Sequence, residues 1–98
     1  MTTTPIRTTN GNLDSVSTRK ASFETTAQWI QRHWNNLAAE YEAAQFPLTD
    51  TLVTEWKDSS GTTRSSTTTR NTGESDNDFY NRHTAQASTA MVANPPVP

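Results

Sequence analysis

The apolar residues between Ser22 and Gln45 recur at alternating steps of four and three positions along the chain. This spacing places them on one face of an α-helix and is sustained for about three heptads. The positions are Phe23, Ala27, Ile30, Trp34, Leu37, Tyr41 and Ala44. Thr25 and Gln28 have the spacing of a capping box at the helix start, and Pro47 is expected to end the helix. The pattern therefore predicts a long amphipathic helix.

The segment from Leu48 to Asp58 is rich in β-branched side chains, which predicts a β-strand. Gly61 can take the left-handed conformation of a tight turn, after which the polar stretch Thr62–Arg70 returns as a second strand. A three-residue loop at this turn places Trp56 opposite Arg64 on the neighbouring strand. These features predict a two-stranded antiparallel β-hairpin whose return strand buries no apolar side chain and whose outer edge is open.

The two ends of the chain have weaker patterns. Residues 1 to about 21 are rich in threonine with few apolar anchors, which predicts an extended arm. Asn10-Gly11 could instead nucleate a tight hairpin, but its flanks do not alternate clearly, and the arm is the preferred interpretation. After Gly73, Ser75 can cap a second, weaker helix. The last residues, 94–98, predict a polyproline-like tail.

Together these segments predict an α+β fold. It consists of a long amphipathic helix, a two-stranded antiparallel β-hairpin, a second short helix, an extended N-terminal arm and a Pro-rich C-terminal tail. The predicted division is an extended or disordered arm at 1–21, a small helix–hairpin–helix domain at 22–93 and the tail at 94–98. No internal repeat is apparent at the periods that mark solenoids or propellers.

Composition limits how large a core this chain can build. Leu, Ile, Val and Phe together number thirteen of the 98 residues, whereas nineteen Thr and nine Ser make the chain polar without making it charged. Such an apolar content lies below the roughly 20% that usually accompanies an independent core. We therefore expect a thin core that gains stability by association, with a partly disordered monomer as the alternative.

The net charge, the cysteine content and the lack of targeting signals limit the classes of partner and the location that we expect. The formal net charge of -2 gives no general attraction to nucleic acid or anionic membranes, and no apolar stretch reaches a membrane-spanning length. The absence of cysteine excludes disulfides and thiolate metal sites. No apolar segment typical of a signal peptide is present, so a location in the cytoplasm or inside an assembled particle is expected.

No pattern of residues points to an enzyme, a cofactor or a metal. His33 and His83 are the only histidines, and neither has a second ligand at helical spacing or a nucleophile motif beside it. The acidic stretch from Gly73 to Asp78 lacks the glycine and glutamate positions of a calcium loop and is typical of a helix start. We therefore predict no catalytic residues, no cofactor and no metal site.

The preferred hypothesis is a non-enzymatic structural or interaction protein. It would oligomerise or dock onto a larger assembly, such as a virion-like particle or a filament, through the amphipathic helix and the open edge of the hairpin. The residues expected at the interface are Phe23, Ile30, Trp34, Leu37, Tyr41 and Trp56.

The alternative hypothesis is a small nucleic-acid-binding regulator that uses one face of the hairpin. Trp56, Arg64 and Arg70 would supply an aromatic ring and two guanidinium groups for bases and phosphates. Asp50 is expected opposite Arg70, where it would pair with the guanidinium instead. Because the chain is acidic overall, nucleic acid is not the expected partner.

Overall fold

The chain forms two consecutive ββα units in a computed structural model that describes residues 4–11, 14–43 and 48–98. The elements are β1 (Ile6–Asn10), β2 (Ser15–Thr18), α1 (Thr26–Glu42), β3 (Thr51–Lys57), β4 (Thr63–Thr69) and α2 (Asp76–Ala93). The four strands form one antiparallel sheet in the order β2-β1-β3-β4. Both helices lie on the same face of this sheet, since His33 of α1 and His83 of α2 contact the neighbouring threonines Thr8 and Thr54.

The predicted fold class was right in being α+β and wrong in its sheet and its N-terminal arm. The predicted hairpin is present as β3 and β4, with Trp56 opposite Arg64, but it is half of a four-stranded sheet. The residues interpreted as an extended arm supply the other half. Asn10 and Gly11 follow the hairpin interpretation that was set aside, and Gly11 has a φ of 63°. The second helix is not short either, because α2 has 18 residues and α1 has 17.

Alternation along β1 explains why so polar a segment joins the core. Ile6, Thr8 and Asn10 face the helices and are completely buried, whereas Arg7 is exposed on the other face. Successive side chains of a strand point to opposite faces, so buried and more exposed residues alternate along β1 with a period of two. It was missed because threonine and asparagine occupy positions where an apolar residue was expected.

The apolar core lies between the sheet and the two helices. Its buried side chains are Ile6, Trp29, Trp34, Leu37, Leu52, Trp56, Phe79, Ala87 and Met91. α1 buries Trp29 and His33 and directs Trp34 toward Ser88 of α2, so its buried face is rotated from the predicted seam. Ala27, a predicted seam residue, is exposed. Helix α1 therefore has two inward directions, one toward the sheet and one toward α2.

Both helices begin with the caps that the sequence predicts. Thr25 Oγ1 accepts a hydrogen bond from Gln28 N, and Gln28 Oε1 accepts one from Thr25 N, which completes the capping box. Ser75 Oγ accepts from Asp78 N at the start of α2. At its other end α1 stops at a C-cap at residue 43. The predicted stop at Pro47 lies outside the described residues.

The C-terminal residues fold back onto the end of β3. Val97 N donates to Lys57 O at 2.9 Å, and Trp56 Nε1 donates to Asn94 O at 2.7 Å. Pro96, between these contacts, is buried. The last residues thus cover the indole of Trp56 at one corner of the sheet.

The two ββα units carry matching residues at a spacing of 50 positions. The pairs are Thr18 and Thr68, Glu24 and Glu74, Thr25 and Ser75, Trp29 and Phe79, Arg32 and Arg82, and His33 and His83. Strands β1 and β3 pair so that Thr8 lies opposite its structural equivalent, Thr54. An approximate twofold axis therefore passes through the centre of the sheet. This single duplication is not the array of a solenoid or propeller, and no expectation from the sequence included it.

Candidate functional site

A continuous chain of hydrogen bonds crosses the helix-facing side of the sheet. In the first unit, His33 Nδ1 lies 2.8 Å from Thr18 Oγ1, and His33 Nε2 lies 2.7 Å from Thr8 Oγ1. At the twofold axis, Thr8 Oγ1 lies 2.7 Å from Thr54 Oγ1. The bonds therefore pass from one unit to the other through two threonine hydroxyls.

The second unit repeats these contacts. His83 Nε2 lies 2.7 Å from Thr54 Oγ1, and His83 Nδ1 lies 2.7 Å from Thr68 Oγ1. An amide side chain lies at each end of the series. Asn36 Nδ2 donates to Thr18 Oγ1 in the first unit, and Gln86 Oε1 accepts from Thr68 Oγ1 in the second, both at 3.2 Å. We call six residues the histidine–threonine chain: Thr18, His33, Thr8, Thr54, His83 and Thr68. All six are buried.

Burial keeps both imidazoles neutral at pH 7. Desolvation lowers the pKa of His33 to about 3 and that of His83 to about 4. The ring of Trp34 stands edge-on to both, with ring centroids 5.1 Å from His33 and 6.2 Å from His83. All four imidazole nitrogens contact threonine hydroxyls, so neither ring faces solvent as a base or a ligand. Among the described residues, no group of three or more His, Cys, Asp or Glu side chains could hold a metal ion.

An ion pair in each unit ties the helix to the end of the preceding strand. Glu24 contacts Arg32 at 2.7 Å, and Glu74 contacts Arg82 at 2.7 Å. Each arginine also donates to a backbone carbonyl at the strand end, that of Thr69 in the second unit. The hydrogen-bonded guanidinium holds the pKa of each glutamate at about 2. The two units therefore join helix and strand end through equivalent contacts.

β4 is the longer of the two edge strands, with seven residues against four in β2. Arg70 N donates to Asp50 O, and Asp58 N donates to Thr62 O, which shows that the even-numbered residues of this hairpin face each other through backbone bonds. Alternation then directs the backbone groups of the odd-numbered residues away from β3. The residues whose backbone groups point away from β3 are Thr63, Ser65, Thr67 and Thr69, and all four residues are exposed to solvent.

Helix α2 covers only part of this edge. Gln86 Nε2 donates to Thr67 O at 3.2 Å, and Arg82 donates to Thr69 O at 2.7 Å. Within the described part of the chain, the N–H groups of Ser65 and Thr67 have no acceptor. The outer side of β4 therefore offers unpaired backbone groups at its middle.

A shallow groove of about 350 Å³ lies between the two helices. Its wall includes Trp34 and Asn35 of α1 and Tyr80 of α2. The indole N–H of Trp34 already donates to Ser88 Oγ at 2.8 Å, and the Tyr80 hydroxyl donates to Trp34 O at 3.0 Å. These two donors in the groove are thus used to join the helices.

The predicted interface residues lie in different environments. Three of the six lie in the intrachain core: Trp34, Leu37 and Trp56. Ile30 and Tyr41 are half-buried, and the Tyr41 ring stacks on Tyr80 with centroids 6.1 Å apart. Phe23 lies before α1 and is 89% exposed. Packing within the chain accounts for the first three, and an interface role for the six stays a prediction.

The residues of the nucleic-acid hypothesis are engaged within the chain. Trp56 is buried, and Arg64 Nε lies 2.7 Å from Asp58 Oδ2. Arg70 pairs with Asp50 at 3.5 Å, as the hairpin register predicted. The hypothesis of a nucleic-acid platform stays a prediction, and these contacts give it no support.

Neither the histidines nor the buried threonines were predicted from the sequence to form a site. A signal was present in the duplication. In each unit a glutamate is followed by Thr or Ser, by an aromatic residue at the fifth position and by Arg-His at the eighth and ninth positions. Two copies of that pattern would have indicated that His33 and His83 occupy equivalent places in one structure.

No protein-family model, curated protein or solved structure matches the chain. In the described ranges, neither helix combines the length and the apolar character needed to cross a membrane. The function of the chain is therefore inferred from its own geometry and chemistry.

Proposed function

We propose that this chain is a non-enzymatic interaction protein that assembles with further copies of itself by adding strand to strand at β4. The observation that carries the proposal is the seven-residue edge strand β4, whose outward backbone groups are only partly paired by helix α2. Such an edge is a template for main-chain hydrogen bonds with another chain.

The composition of β4 supports its use as a contact. Proteins that avoid edge pairing shorten the edge strand, place charges or proline on it, or bend it with a bulge. β4 contains a single charged residue, Arg64, and pairs continuously with β3 from Thr63 to Thr69. In contrast, β2 has four residues and is followed by Arg19 and Lys20. The two edges of this sheet are therefore not equivalent, and β4 is the one better suited to pair with another chain.

A second copy fits this edge in an antiparallel arrangement centred on Ser66. The N–H of Thr67 then donates to Ser65 O of the second copy, and the N–H of Ser65 meets Thr67 O of the second copy, which would accept this bond in addition to the one from Gln86. Arg64 lies opposite the polar Thr68 position of the second copy, so the two arginines do not face each other. The neighbouring flank of α2 carries Arg82 and Gln86, which bond the β4 edge, followed by the small exposed residues Thr89 and Ala93.

The same proposal extends to the larger assembly and the location. Copies joined through β4 would serve as units of a particle or filament, in the cytoplasm or inside a virion-like particle. The non-enzymatic hypothesis is supported by the engagement of all four imidazole nitrogens with hydroxyls of the same chain.

Thr67→Pro tests the proposal directly. The N–H of Thr67 points away from β3, so proline removes a donor from the edge without breaking a bond inside the sheet. Ser17→Pro is a matched control, because Ser17 occupies the equivalent outward position on β2. Sedimentation velocity at micromolar concentration measures the size of each species.

We expect the wild-type protein and Ser17→Pro to form dimers or larger species and Thr67→Pro to be monomeric with unchanged circular dichroism. A wild-type protein that stays monomeric as its concentration is raised would show the proposal to be wrong. An equal effect of both prolines would assign the contact to another surface. If β4 associates only with a different protein, that protein and not a second copy of this chain is the partner.

A further inference from the structure

We infer that the histidine–threonine chain is one directed series of hydrogen bonds that holds His33 and His83 in opposite neutral tautomers, so that acid unfolds the protein with the uptake of two protons by the unfolded chain. The direction is set by Gln86. Its Nε2 donates to Thr67 O, so its Oε1 faces Thr68 and accepts from that hydroxyl. Thr68 has thereby used its only proton and must accept from His83 Nδ1–H.

Each following group is fixed in turn. A neutral imidazole has one donor and one acceptor, and a hydroxyl has one proton to give. His83 Nε2 therefore accepts from Thr54, which accepts from Thr8. Thr8 has given its proton to Thr54 and accepts from His33 Nε2–H. His33 Nδ1 then accepts from the hydroxyl of Thr18.

The series closes without a group left over. Thr18 accepts from Asn36 Nδ2, so the bonds begin at an amide donor and end at the amide acceptor of Gln86. His33 is the Nε2–H tautomer and His83 is the Nδ1–H tautomer, although the two residues are equivalent in the duplication. A directed chain that crosses a twofold axis cannot be symmetric.

An added proton breaks this order. A charged imidazole donates from both nitrogens, so when both rings are charged Thr8 and Thr54 each accept from a ring, and one of these two buried hydroxyls is left without an acceptor. The charged residues on the surrounding elements are Arg7, Arg32, Glu40, Glu42, Glu55, Lys57, Arg64, Asp76, Asp78 and Arg82. Arg32 and Arg82 disfavour an extra positive charge on the rings, and no carboxylate among the described residues lies within hydrogen-bonding distance of either imidazole. Protons are therefore taken up mainly by the unfolded chain.

Nitrogen NMR of the uniformly labelled full chain at neutral pH tests the tautomers. We expect one histidine with its proton on Nε2 and the other with its proton on Nδ1, and assignment should give His33 the first pattern. The same tautomer in both residues, or signals averaged between tautomers, would overturn the inference.

Unfolding measured against pH tests the acid response. Between about pH 6 and about pH 5, the unfolding equilibrium constant should rise by a factor approaching about one hundred per pH unit, because two protons bind on unfolding. In His83→Gln the rise should be smaller by a factor of about ten per pH unit, since one proton is lost. Comparing the two slopes removes the contribution of carboxylates that both proteins share. Identical slopes would contradict the inference, and if the variant fails to fold, the NMR pattern of the wild-type protein decides.

Discussion

The hydroxyl of Thr54 joins the two halves of the histidine–threonine chain, and Thr54→Val removes it while keeping the shape of the side chain. In the wild-type protein this hydroxyl accepts from Thr8 and donates to His83 Nε2, each at 2.7 Å. The substitution leaves the Thr8 hydroxyl without an acceptor and His83 without a donor. Both groups are completely buried, so water cannot replace the lost partner without entering the core.

A buried polar group that loses its partner costs about 1–3 kcal/mol, so two such groups predict a loss of about 2–6 kcal/mol in the free energy of unfolding. The first half of the chain has one way to recover. If the amide of Asn36 turns over, Thr18 can donate to its oxygen, and His33 can change to the Nδ1–H tautomer. Only His83 then stays unpaired, the loss falls to about 1–3 kcal/mol, and the changed tautomer of His33 is visible by NMR.

Chemical denaturation at neutral pH measures this loss, with Thr67→Val as the control. Thr67 is an exposed threonine on β4, and its substitution should change stability by less than about 0.5 kcal/mol. The total stability expected for a domain of this size is about 5–15 kcal/mol, so the predicted difference is easily resolved. A Thr54→Val protein within about 0.5 kcal/mol of the wild type, with an unchanged dependence on denaturant, would refute the directed chain as a source of stability.

Two further substitutions test the core. Ser66 is buried, and its Oγ has no hydrogen-bond partner among the residues that the structure describes, so Ser66→Ala should leave stability unchanged or raise it by up to about 1 kcal/mol; a clear loss in thermal unfolding would reveal a partner for this hydroxyl. Trp34 is 7% exposed and joins the two helices, so Trp34→Ala should lower the free energy of unfolding by about 3–5 kcal/mol. Phe23→Ala, which removes an exposed ring, should change it by less than about 0.5 kcal/mol and serves as the control; equal effects of the two would contradict the role assigned to Trp34.

The local signals in the sequence were reliable where they depended on backbone chemistry. The capping box at Thr25, the cap at Ser75, the turn at Gly61 and the register of β3 and β4 are all present. Each of these depends on residues a few positions apart, whose preferences are nearly independent of the rest of the fold. They could therefore be predicted without knowing what packs against them.

The site could not be found by the same means. From the sequence, Thr8 is predicted to be a polar residue of an extended arm. Only the tertiary fold places its hydroxyl between His33 and Thr54. Polar residues in a core are satisfied by partners distant in sequence, so no local pattern reports them. The duplication was the one non-local signal available, because equivalent positions of His33 and His83 imply equivalent surroundings.

The buried threonines and histidines complete the core within one chain, and this changes the physical reason we expect for self-association. The composition predicted a thin core that gains stability by association, but Trp34 and Leu37 of the amphipathic helix are covered within the chain. A folded monomer is therefore expected to be stable by itself, and the edge of β4 becomes the reason to associate. These two causes differ in a measurable way: if the edge is the cause, monomeric Thr67→Pro should keep a thermal midpoint that is independent of protein concentration. A chain that needed its partner to complete the core would instead unfold when held as a monomer, because its stability would depend on the concentration of protomers.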